Sequence, residues 1–534
     1  MENPMTATKD VSSFNTPSAT PPWQAEQIAS QAIIMDLVEI YFQIIYPIFP
    51  FFHQPTTIRK VSRGEHQTSK SQFAVTMAMC ALASARARDG AIITNQWDLS
   101  ALSKTSSEAF FAAAESVLPK GPVTDFNFMR AYALLSITAI QYGKPQTMFY
   151  YLGLYHTCIE IDGLHDEANW SKDAGIVALE ERRRLFWSMY TLDVYTSIAW
   201  RRVIRSCEAQ SNVTYPTPVD DADFSDTGYK PIAVPTNAME MAHGISFDNK
   251  PLCWLHGWNA TTDLYRILEH VVAQFRQRRP EHRTSTSIDA IFAAQSTSSA
   301  LVLDVVFNMY KGLPSRLKET PVARSEAEHR LNFQTANLAA TIQLVRIMLF
   351  AAEDATVEQR CRVASELLQA FTDVPIIYLR AISSPLLHHL ASIGSILGST
   401  FEGGLPESSY RKIRSVLLSM IKLLADLEVG LSCTAGASTR IQALVDRIDG
   451  FISSRQQDMY TSQSHHDNSA DPCPARPSAT PPYLTGGSPL FLLPTELLDD
   501  WSWAFDFGQT SDTRENGRDN DTTVPSSIQC PTVS

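Results

Sequence analysis

Residues 179–204, LEERRRLFWSMYTLDVYTSIAWRRVI, constrain the fold more than any other part of the chain. Apolar or small side chains recur there at steps of three and four, which predicts a long helix with one face in a core. The members of that face are Leu185, Met189, Leu192, Thr196 and Ala199, widened by Phe186, Trp187 and Ile198. We therefore expect the rest of the chain to be organised around this helix.

The predicted helix opens on a dense group of charges. Glu180 and Glu181 come first, where carboxylates suit the positive end of a helix dipole, and Arg182, Arg183 and Arg184 follow them. Glu180 and Arg184 are four residues apart, in the orientation that favours an ion pair on a helix surface. On an exposed face, such a pair stabilises a helix by only about a few tenths of a kcal/mol.

Asp193 lies beside the apolar face of the same helix, where a carboxylate needs a partner. Arg201 or Arg202, two turns further along, would supply that partner if the helix continued so far. We interpret Asp193 as half of a structural ion pair and not as a catalytic group, because no second acid, histidine or nucleophile lies near it in the sequence.

These charges and the residues that follow them resemble the central motif of the fungal-specific transcription factor domain. This domain is the helical regulatory region found downstream of binuclear zinc clusters in fungal regulators. Two further stretches resemble the same family: YFQIIYPIFPFFHQPT at 41–56 is similar to its opening motif, and YYLGLYHTCIEIDGLH at 150–165 is similar to the helix that precedes the arginine run. The resemblance covers roughly residues 36–223 and fades toward the C-terminus.

One difference from the family lies directly after the central motif. Trp200, Arg201, Arg202 and Val203 stand where the family usually has a Gly-Arg-Pro turn, so the resemblance does not predict the geometry of that turn. It does imply an all-α fold, a nuclear location and control of a metabolic or secondary-metabolite biosynthetic gene set. The signature residues that it implies for domain integrity are Glu180, Glu181, Arg182, Arg183, Arg184, Phe186, Trp187 and Asp193.

Helical periodicity continues through most of the chain, whereas the alternation typical of strands is absent, so the predicted fold class is all-α. Composition divides the chain into a disordered segment 1–24, a helical domain 25–453 whose motif-bearing part is about 36–223, and a disordered tail 454–534. Predicted helices outside the central motif cover residues 28–45, 72–88, 106–118, 126–142, 148–161, 251–277, 298–310, 326–351, 357–371, 385–397, 410–427 and 439–451.

The opening motif carries a group of aromatic residues among three prolines, Pro47, Pro50 and Pro55, which are expected to end the preceding helix and to prevent its continuation. Phe49, Phe51 and Phe52 are expected to pack an extended segment onto the helical core. His53 is expected to be a hydrogen-bonded packing residue, because no other metal ligand stands at a suitable spacing.

Two charged stretches lie after the central helix. The loop at 213–224 contains Asp220, Asp221 and Asp223, and we expect it to be solvated, because its spacing lacks the glycine and terminal glutamate of an EF-hand cation site. The basic run RQRRPEHR at 276–283 is interpreted as a helix end that leads into a solvated loop, with a nuclear-import patch as the alternative.

Charge and cysteine spacing limit the function. A net charge of −12 disfavours unaided DNA binding, because the chain as a whole repels phosphate. The 8 cysteines include no C-x-x-C pair, which indicates a reducing compartment and no binuclear zinc cluster. Either the protein naturally lacks that cluster, or the sequence begins downstream of a lost first exon. No metal site, cofactor or membrane span is predicted, since the longest uncharged apolar run, 131–143, is shorter than the roughly 20 residues required.

The predicted tail contains one unusual segment, PLFLLPTELLDDWSWAFDFG at 489–508, here called the activation segment. Its acidic residues are interleaved with large apolar ones, which keeps the apolar side chains exposed until a partner groove accepts them. This composition is typical of transcriptional activation, with a C-terminal helix docked on the domain as the alternative. The apolar members are Leu497, Leu498, Trp501, Trp503, Phe505 and Phe507.

Three functions are compatible with these observations. The first is a nuclear transcriptional regulator that acts on the transcription machinery or a co-activator. It would do so through a DNA-binding partner, a homodimer or an N-terminal module that this sequence does not contain. The second is a helical small-molecule-binding protein or enzyme, although the chain has no G-x-S-x-G, H-E-x-x-H, phosphate-loop or dinucleotide motif. A regulator whose helical domain binds a small-molecule effector would combine the first and second functions. The third is a scaffold, which the activation segment disfavours.

Overall fold

The computed structural model describes residues 23–94, 96–121, 123–200, 202–230, 252–277, 298–352, 356–372, 374–382 and 405–429, with short pieces between 436 and 453 and positions 390, 490 and 491. The predicted disordered segment 1–24 lies almost entirely outside the described residues. So do most of the predicted helices 385–397 and 439–451, the basic run beyond Gln277, and nearly all of the tail with its activation segment.

The described residues confirm the all-α class. The helices are α1 (Gln31–Ile40), α2 (Gln54–Ser62), α3 (Lys70–Arg88), α4 (Leu99–Leu102), α5 (Ser107–Ser116), α6 (Phe126–Gln141), α7 (Pro145–Asp162), α8 (Ile176–Trp200), α9 (Leu255–Gln277), α10 (Ser299–Gly312), α11 (Glu326–Ala352), α12 (Val357–Thr372), α13 (Ile376–Ile382) and α14 (Glu407–Glu428). Two pairs of two-residue strands accompany them. β1 (Phe224–Ser225) is antiparallel to β2 (Gly228–Tyr229), and β3 (Leu405–Pro406) is antiparallel to β4 (Leu490–Phe491).

The central helix α8 is buried on almost every side. From Arg184 to Trp200, all residues except Thr191 are buried, which is the pattern of a helix enclosed by other elements and not of a surface helix. The prediction of a helix with a core face is confirmed, but α8 begins three residues earlier and ends at Trp200. Arg202 is therefore not part of the helix.

The opening motif differs from its prediction in two respects. Helix α1 continues directly into a π-helical turn, Tyr41–Ile45, before Pro47 ends it. Pro55, which the sequence suggests as a helix breaker, instead lies in the first turn of α2, where its fixed φ and missing N–H are tolerated. The aromatic side chains of Phe49, Phe51 and Phe52 are buried as predicted.

Two hydrophobic cores share helix α11. The larger core collects residues from α1 to α11, including Leu338, Ile342 and Val345 of α11. The smaller core contains Phe333, Ala336 and Ala340 of the same helix together with residues of α12, α13 and α14. Because α11 contributes side chains to both cores, it joins the motif-bearing region to the C-terminal helices. The domain bounds 25–453 stay a prediction.

Candidate functional site

The arginine run at the start of α8 meets two other motif segments. The turn between α1 and α2, residues 46–54, lies on one side, and a short 3-10 helix, Asp221–Asp223, lies on the other. All three segments belong to stretches that the sequence analysis singled out. Their polar groups form a connected set of hydrogen bonds and ion pairs beneath the surface.

At the centre of this set is the arginine triad, formed by Arg184, Asp221 and Tyr46. The side chains of Arg184 and Asp221 are 0% and 4% exposed, and Arg184 Nη1 lies 2.7 Å from Asp221 Oδ1. Arg184 Nη1 also donates to the Tyr46 hydroxyl at 2.9 Å, and that hydroxyl donates to Asp221 Oδ2 at 2.6 Å. The backbone N–H of Gln54 donates to the same carboxylate oxygen at 2.6 Å. One carboxylate thus fastens three motif segments together.

The charges of the arginine triad are fixed by their surroundings. Burial alone would raise the pKa of Asp221, but the attraction of Arg184 and the hydrogen bonds from Gln54 and Tyr46 outweigh it and lower that pKa. Burial raises the pKa of Tyr46 well above its ordinary value, so the phenol keeps its proton and donates a hydrogen bond to Asp221. Burial would lower the pKa of Arg184, but Asp221 reverses the shift, so the guanidinium stays charged.

Glu181 connects the arginine run to the segment that precedes α2. Its Oε1 accepts the backbone N–H of His53 at 2.7 Å, and its Oε2 forms an ion pair with Arg130 of α6. The Arg130 guanidinium lies over the rings of Phe52 and Phe126, at 4.8 and 4.2 Å. The Arg182 guanidinium also lies over the Phe126 ring, at 4.9 Å. These cation–π contacts hold the aromatic segment against α6.

Glu180 has a different environment from the one predicted. It is buried, and it accepts hydrogen bonds from Arg183 at 3.0 Å, from the N–H and hydroxyl of Thr217 at 2.9 and 2.8 Å, and from the Tyr229 hydroxyl at 3.0 Å. The expected exposed pair with Arg184 is therefore wrong. Glu180 instead forms an ion pair with Arg183, three residues along the helix, because the side chain of Arg184 turns inward to Asp221.

Arg183 also joins α8 to the loop before it through Glu167. Arg183 Nε and Nη2 donate to the two carboxylate oxygens of Glu167 at 2.8 and 2.9 Å, which is the bidentate geometry that arginine favours. The N–H of Thr214 donates to Glu167 at 2.8 Å. Burial would raise the pKa of Glu167, but these hydrogen bonds lower it to about 2.

We predict that Glu167→Gln lowers the melting temperature at pH 7 by roughly 1–3 °C, because this partly exposed pair is screened by solvent. The folded pKa lies below the unfolded value of about 4.3. The stabilisation is therefore present above pH 4.3 and is lost as the pH falls toward 2. Melting curves of both proteins from pH 7 to pH 2 should converge at the acid end. Glu39→Gln, on the exposed face of α1, removes the same charge and serves as the control. A constant difference at all pH values would contradict the assignment.

Asp193 is buried, as a residue beside the core face should be, but its partners differ from those predicted. Its Oδ2 accepts the backbone N–H groups of Arg205 and Ser206, the latter at 3.0 Å, and its Oδ1 lies 3.5 Å from His156 Nε2. The predicted ion pair with Arg202 is wrong, and Arg201, the other predicted partner, lies outside the described residues. Because α8 ends at Trp200, Arg202 turns away, and its guanidinium lies 4.7 Å from the Phe149 ring. Asp193 thus holds the loop after α8 against α7.

The remaining signature residues have packing roles. Phe186 and Trp187 are buried, and Trp187 Nε1 donates to the carbonyl of Thr214 at 3.1 Å. His53 bonds the hydroxyl of Thr56 and the carbonyl of Asp221, each at 2.8 Å, which confirms its predicted packing role. The acidic loop is only partly as predicted, because Asp221 is buried whereas Asp223 is exposed. The apolar members of the activation segment lie outside the described residues, and their role stays a prediction.

Sequence reasoning missed Tyr46, Glu167 and Asp221 as partners of the arginine run. One signal was available. The run has three arginines but only two neighbouring glutamates, so one arginine needs another acid, and the acidic loop at 213–224 follows in the sequence. A further partner, Arg330 of α11, could not have been inferred from spacing. Its Nη2 donates to Gln54 Oε1 at 2.7 Å, and its guanidinium lies 5.2 Å from the Tyr46 ring.

The contacts of the network are structural, and its carboxylates are engaged by arginines and backbone N–H groups. Among the described residues, no group of three or more His, Cys, Asp or Glu side chains is arranged to hold a metal ion. Within the same residues, no helix combines the length and the apolar character needed to cross a membrane. The site is that of a helical domain whose signature charges fix the positions of loops.

Comparison with known proteins agrees with this class. The chain matches the model of the fungal specific transcription factor domain over residues 38–319, which is more than half of its length. The chain belongs to this family. The resemblance inferred from the three motifs is confirmed, and the matched region extends beyond Asp223, where the motifs fade.

Two relatives share part of the chain. The first is Activator of stress genes 1 of Saccharomyces cerevisiae, which is 22% identical over 270 residues, covering 48% of this chain and 26% of that protein. The second is Transcriptional activator protein acu-15 of Neurospora crassa, which is 21% identical over 196 residues, covering 36% of this chain and 20% of that protein. The aligned part of the chain spans about a quarter or less of the length of these relatives.

Proposed function

We propose that this protein is a nuclear transcriptional regulator and not an enzyme. The observation that carries the proposal is the family match over residues 38–319, and two relatives that are named as activators support it. The buried network is consistent with it, because its polar groups engage one another and hold loops in place. In this proposal the helical domain is the regulatory part of the molecule.

The regulator is proposed to reach DNA through a DNA-binding partner or as part of a dimer. The net charge of −12 and the spacing of the cysteines disfavour direct contact between DNA and the residues of this sequence. Its targets are proposed to be a metabolic or secondary-metabolite biosynthetic gene set. Its other partners would be the transcription machinery or a co-activator, and a small-molecule effector would bind within the helical domain.

The activation segment is proposed to contact the transcription machinery. Acidic residues surround its tryptophan and phenylalanine side chains, so an apolar groove on a partner would gain large buried surfaces while the acids stay solvated. The segment, residues 489–508, is far in the sequence from the motifs at 36–223.

The test is a reporter experiment with the whole chain fused to a heterologous DNA-binding domain. We expect the fusion to activate transcription, and we expect Trp501→Ala, Trp503→Ala, Phe505→Ala and Phe507→Ala together to reduce the output to that of the DNA-binding domain alone. These four aromatic residues supply most of the apolar surface that a partner can bury. Circular dichroism and the melting temperature should be unchanged.

A matched control replaces Thr522, Val524, Ile528 and Val533 by alanine, which makes the same number of changes in the same tail outside the activation segment. This control should keep full output. Unchanged activation in the four-aromatic variant would contradict the role proposed for the activation segment. No output from the intact fusion would contradict the proposal that the protein activates transcription.

A further inference from the structure

Helix α10 is apolar but little buried. Of its 14 residues, SALVLDVVFNMYKG, only Ser299 and Val306 are buried. Leu301 is 57% exposed and Val305 is 46% exposed, and half-buried Met309 follows one turn later. Because successive members are four residues apart, they form one apolar strip along the helix. We call Leu301, Val305 and Met309 the outer strip of α10.

Helices α10 and α11 run antiparallel. Beyond the end of α10, Arg316 Nη2 donates to the carbonyl of Glu328 at the start of α11, at 3.3 Å. Near the other end of α11, the guanidinium of Arg346 lies 5.6 Å from the centre of the Phe307 ring in α10. The first half of α10, which carries Leu301, is therefore directed toward the C-terminal end of α11.

The strand pair β3–β4 lies close to the same end of α11. Helix α12 follows α11 in the chain, and Glu358 in its first turn accepts a hydrogen bond from Ser409 in the first turn of α14, at 2.9 Å. β3 comes directly before α14 and is antiparallel to β4, which consists of Leu490 and Phe491. These two residues belong to the activation segment. The start of that segment is therefore attached to the domain near the end of α11.

The rest of the activation segment is long enough to reach the outer strip. Its apolar residues from Leu497 to Phe507 come six to sixteen positions after Phe491. An extended chain of that length spans roughly 20 to 50 Å. Helix α11, with 27 residues, is roughly 40 Å long. The attachment at β4 thus brings the aromatic residues of the segment within range of α10.

Exposed cations lie next to β3 and on α10. Arg411 and Lys412 follow β3 in the first turns of α14, and Lys311 is near the end of α10. The one acid of α10, Asp304, lies on the flank of the helix away from Val305. The activation segment has no basic residue, and its acids are Glu496, Asp499, Asp500 and Asp506. Its charge therefore complements these cations.

We propose that, without a partner, the activation segment docks on the outer strip of α10 in the same molecule, an inference that rests on the proposed function. The pairing of β3 with β4 holds its first residues, the aromatic side chains cover the outer strip, and the acids approach the exposed lysines. A partner that offers a deeper apolar groove competes for the same aromatic side chains. Docking therefore lowers activation until such a partner binds.

A segment of the same chain fits this strip better than a separate molecule does. The β3–β4 attachment makes the contact intramolecular, with an effective concentration in the millimolar range for a short linker. A strip of this size is too small for a specific interface between separate proteins, which typically buries about 1,600 Å². The attachment compensates for the small area.

The test is carbodiimide cross-linking of the purified full chain, followed by mass spectrometry of its peptides. This reagent joins a carboxylate to a lysine amine only when the two groups are in contact. We expect the acids of the activation segment to be linked to Lys311 or Lys412. In an equal mixture of unlabelled and isotopically labelled protein, both halves of each linked peptide should carry the same label, because the contact is within one molecule.

Leu301→Asp together with Val305→Asp should reduce these cross-links by about fivefold or more, because aspartate removes apolar surface and repels the acids of the segment. Leu99→Asp together with Ile161→Asp is the matched control, since these residues are 56% and 53% exposed on other helices. The control should leave the cross-links unchanged. Circular dichroism and the melting temperature establish that each variant is folded.

Three outcomes would overturn the docking. The first is a natural protein in which neither lysine is linked to the activation segment. The second is a set of linked peptides that carry both labels, which would indicate that a second copy covers the strip. The third is a set of cross-links that persist in the double variant of Leu301 and Val305.

The regulatory effect is measured with the fusion to a heterologous DNA-binding domain. The double variant of Leu301 and Val305 should raise the reporter output by about threefold or more, because the activation segment is no longer covered. The control pair should not change the output. Unchanged output in the double variant would contradict the regulatory effect and leave the proposed function intact. Failure of the proposed function appears in the reporter, whereas failure of the docking appears in the cross-links, which do not depend on transcription.

Discussion

Replacing Arg184 by methionine will lower the free energy of unfolding by about 3–5 kcal/mol, or prevent folding altogether. The reason is that Asp221 is buried and its negative charge would lose the guanidinium that lies 2.7 Å away. Removing one partner leaves an uncompensated charge in a medium of low polarity, which costs more than the pair itself contributes. Urea unfolding followed by circular dichroism gives the free energy directly.

The double variant Arg184→Met with Asp221→Asn separates charge from packing. Asparagine still accepts the N–H of Gln54 but carries no charge, so the double variant should regain about 2 kcal/mol or more of the loss. Two donors of Arg184, Nε and Nη2, have no hydrogen-bond partner among the described residues, which further reduces what the arginine contributes by itself. Arg182→Met serves as a control, since that arginine is only partly buried and rests on an aromatic ring. Equal losses in the single and double variants would contradict the explanation.

Replacing Asp193 by alanine will destabilise the domain by about 2–3 kcal/mol. The substitution leaves the N–H groups of Arg205 and Ser206 without their acceptor and opens a cavity beside His156. The loop after α8 would then separate from α7. The loss should appear both in thermal melting and as faster amide hydrogen exchange of the loop.

Asp193→Asn is the matched control, because one carboxylate oxygen, Oδ2, accepts both N–H groups and an amide oxygen can take its place. It should recover most of the lost stability. If asparagine and alanine were equally damaging, the negative charge next to His156 would be the important property and not the hydrogen bonds to the loop. A loop whose exchange is unaltered in Asp193→Ala would contradict the anchoring role.

The sequence predicted most of the helices because their apolar periodicity is local. The main errors have two physical causes. Helix α2 was missed because Pro55 was interpreted as a breaker, although proline is favoured in the first turn of a helix. The end of α8 was placed too late because residues 200–203 contain no glycine or proline, the usual signs of a helix end.

The partners of the signature residues were not predictable from spacing. Tyr46 lies 138 positions from Arg184 in the sequence, and Asp221 lies 37 positions away. Sequence analysis can propose pairs at three or four residues on one helix, and it chose Glu180 for Arg184 on that ground. In the structure Arg184 pairs with Asp221 instead, because a buried arginine requires a buried carboxylate and tertiary packing places Asp221 beside it.

The position of α11 changes what the end of the family match means. The match stops at residue 319, whereas α11 begins at Glu326 and packs against the matched helices. Its Gln334 lies close to Gly257 of α9 and donates to the carbonyl of Pro47 at 2.6 Å, and its Arg330 reaches the opening motif. The end of detectable similarity is therefore not the end of a folding unit. A fragment cut at 319 would expose the surface of α9 that α11 covers and would aggregate, so a soluble fragment must continue at least through Ala352.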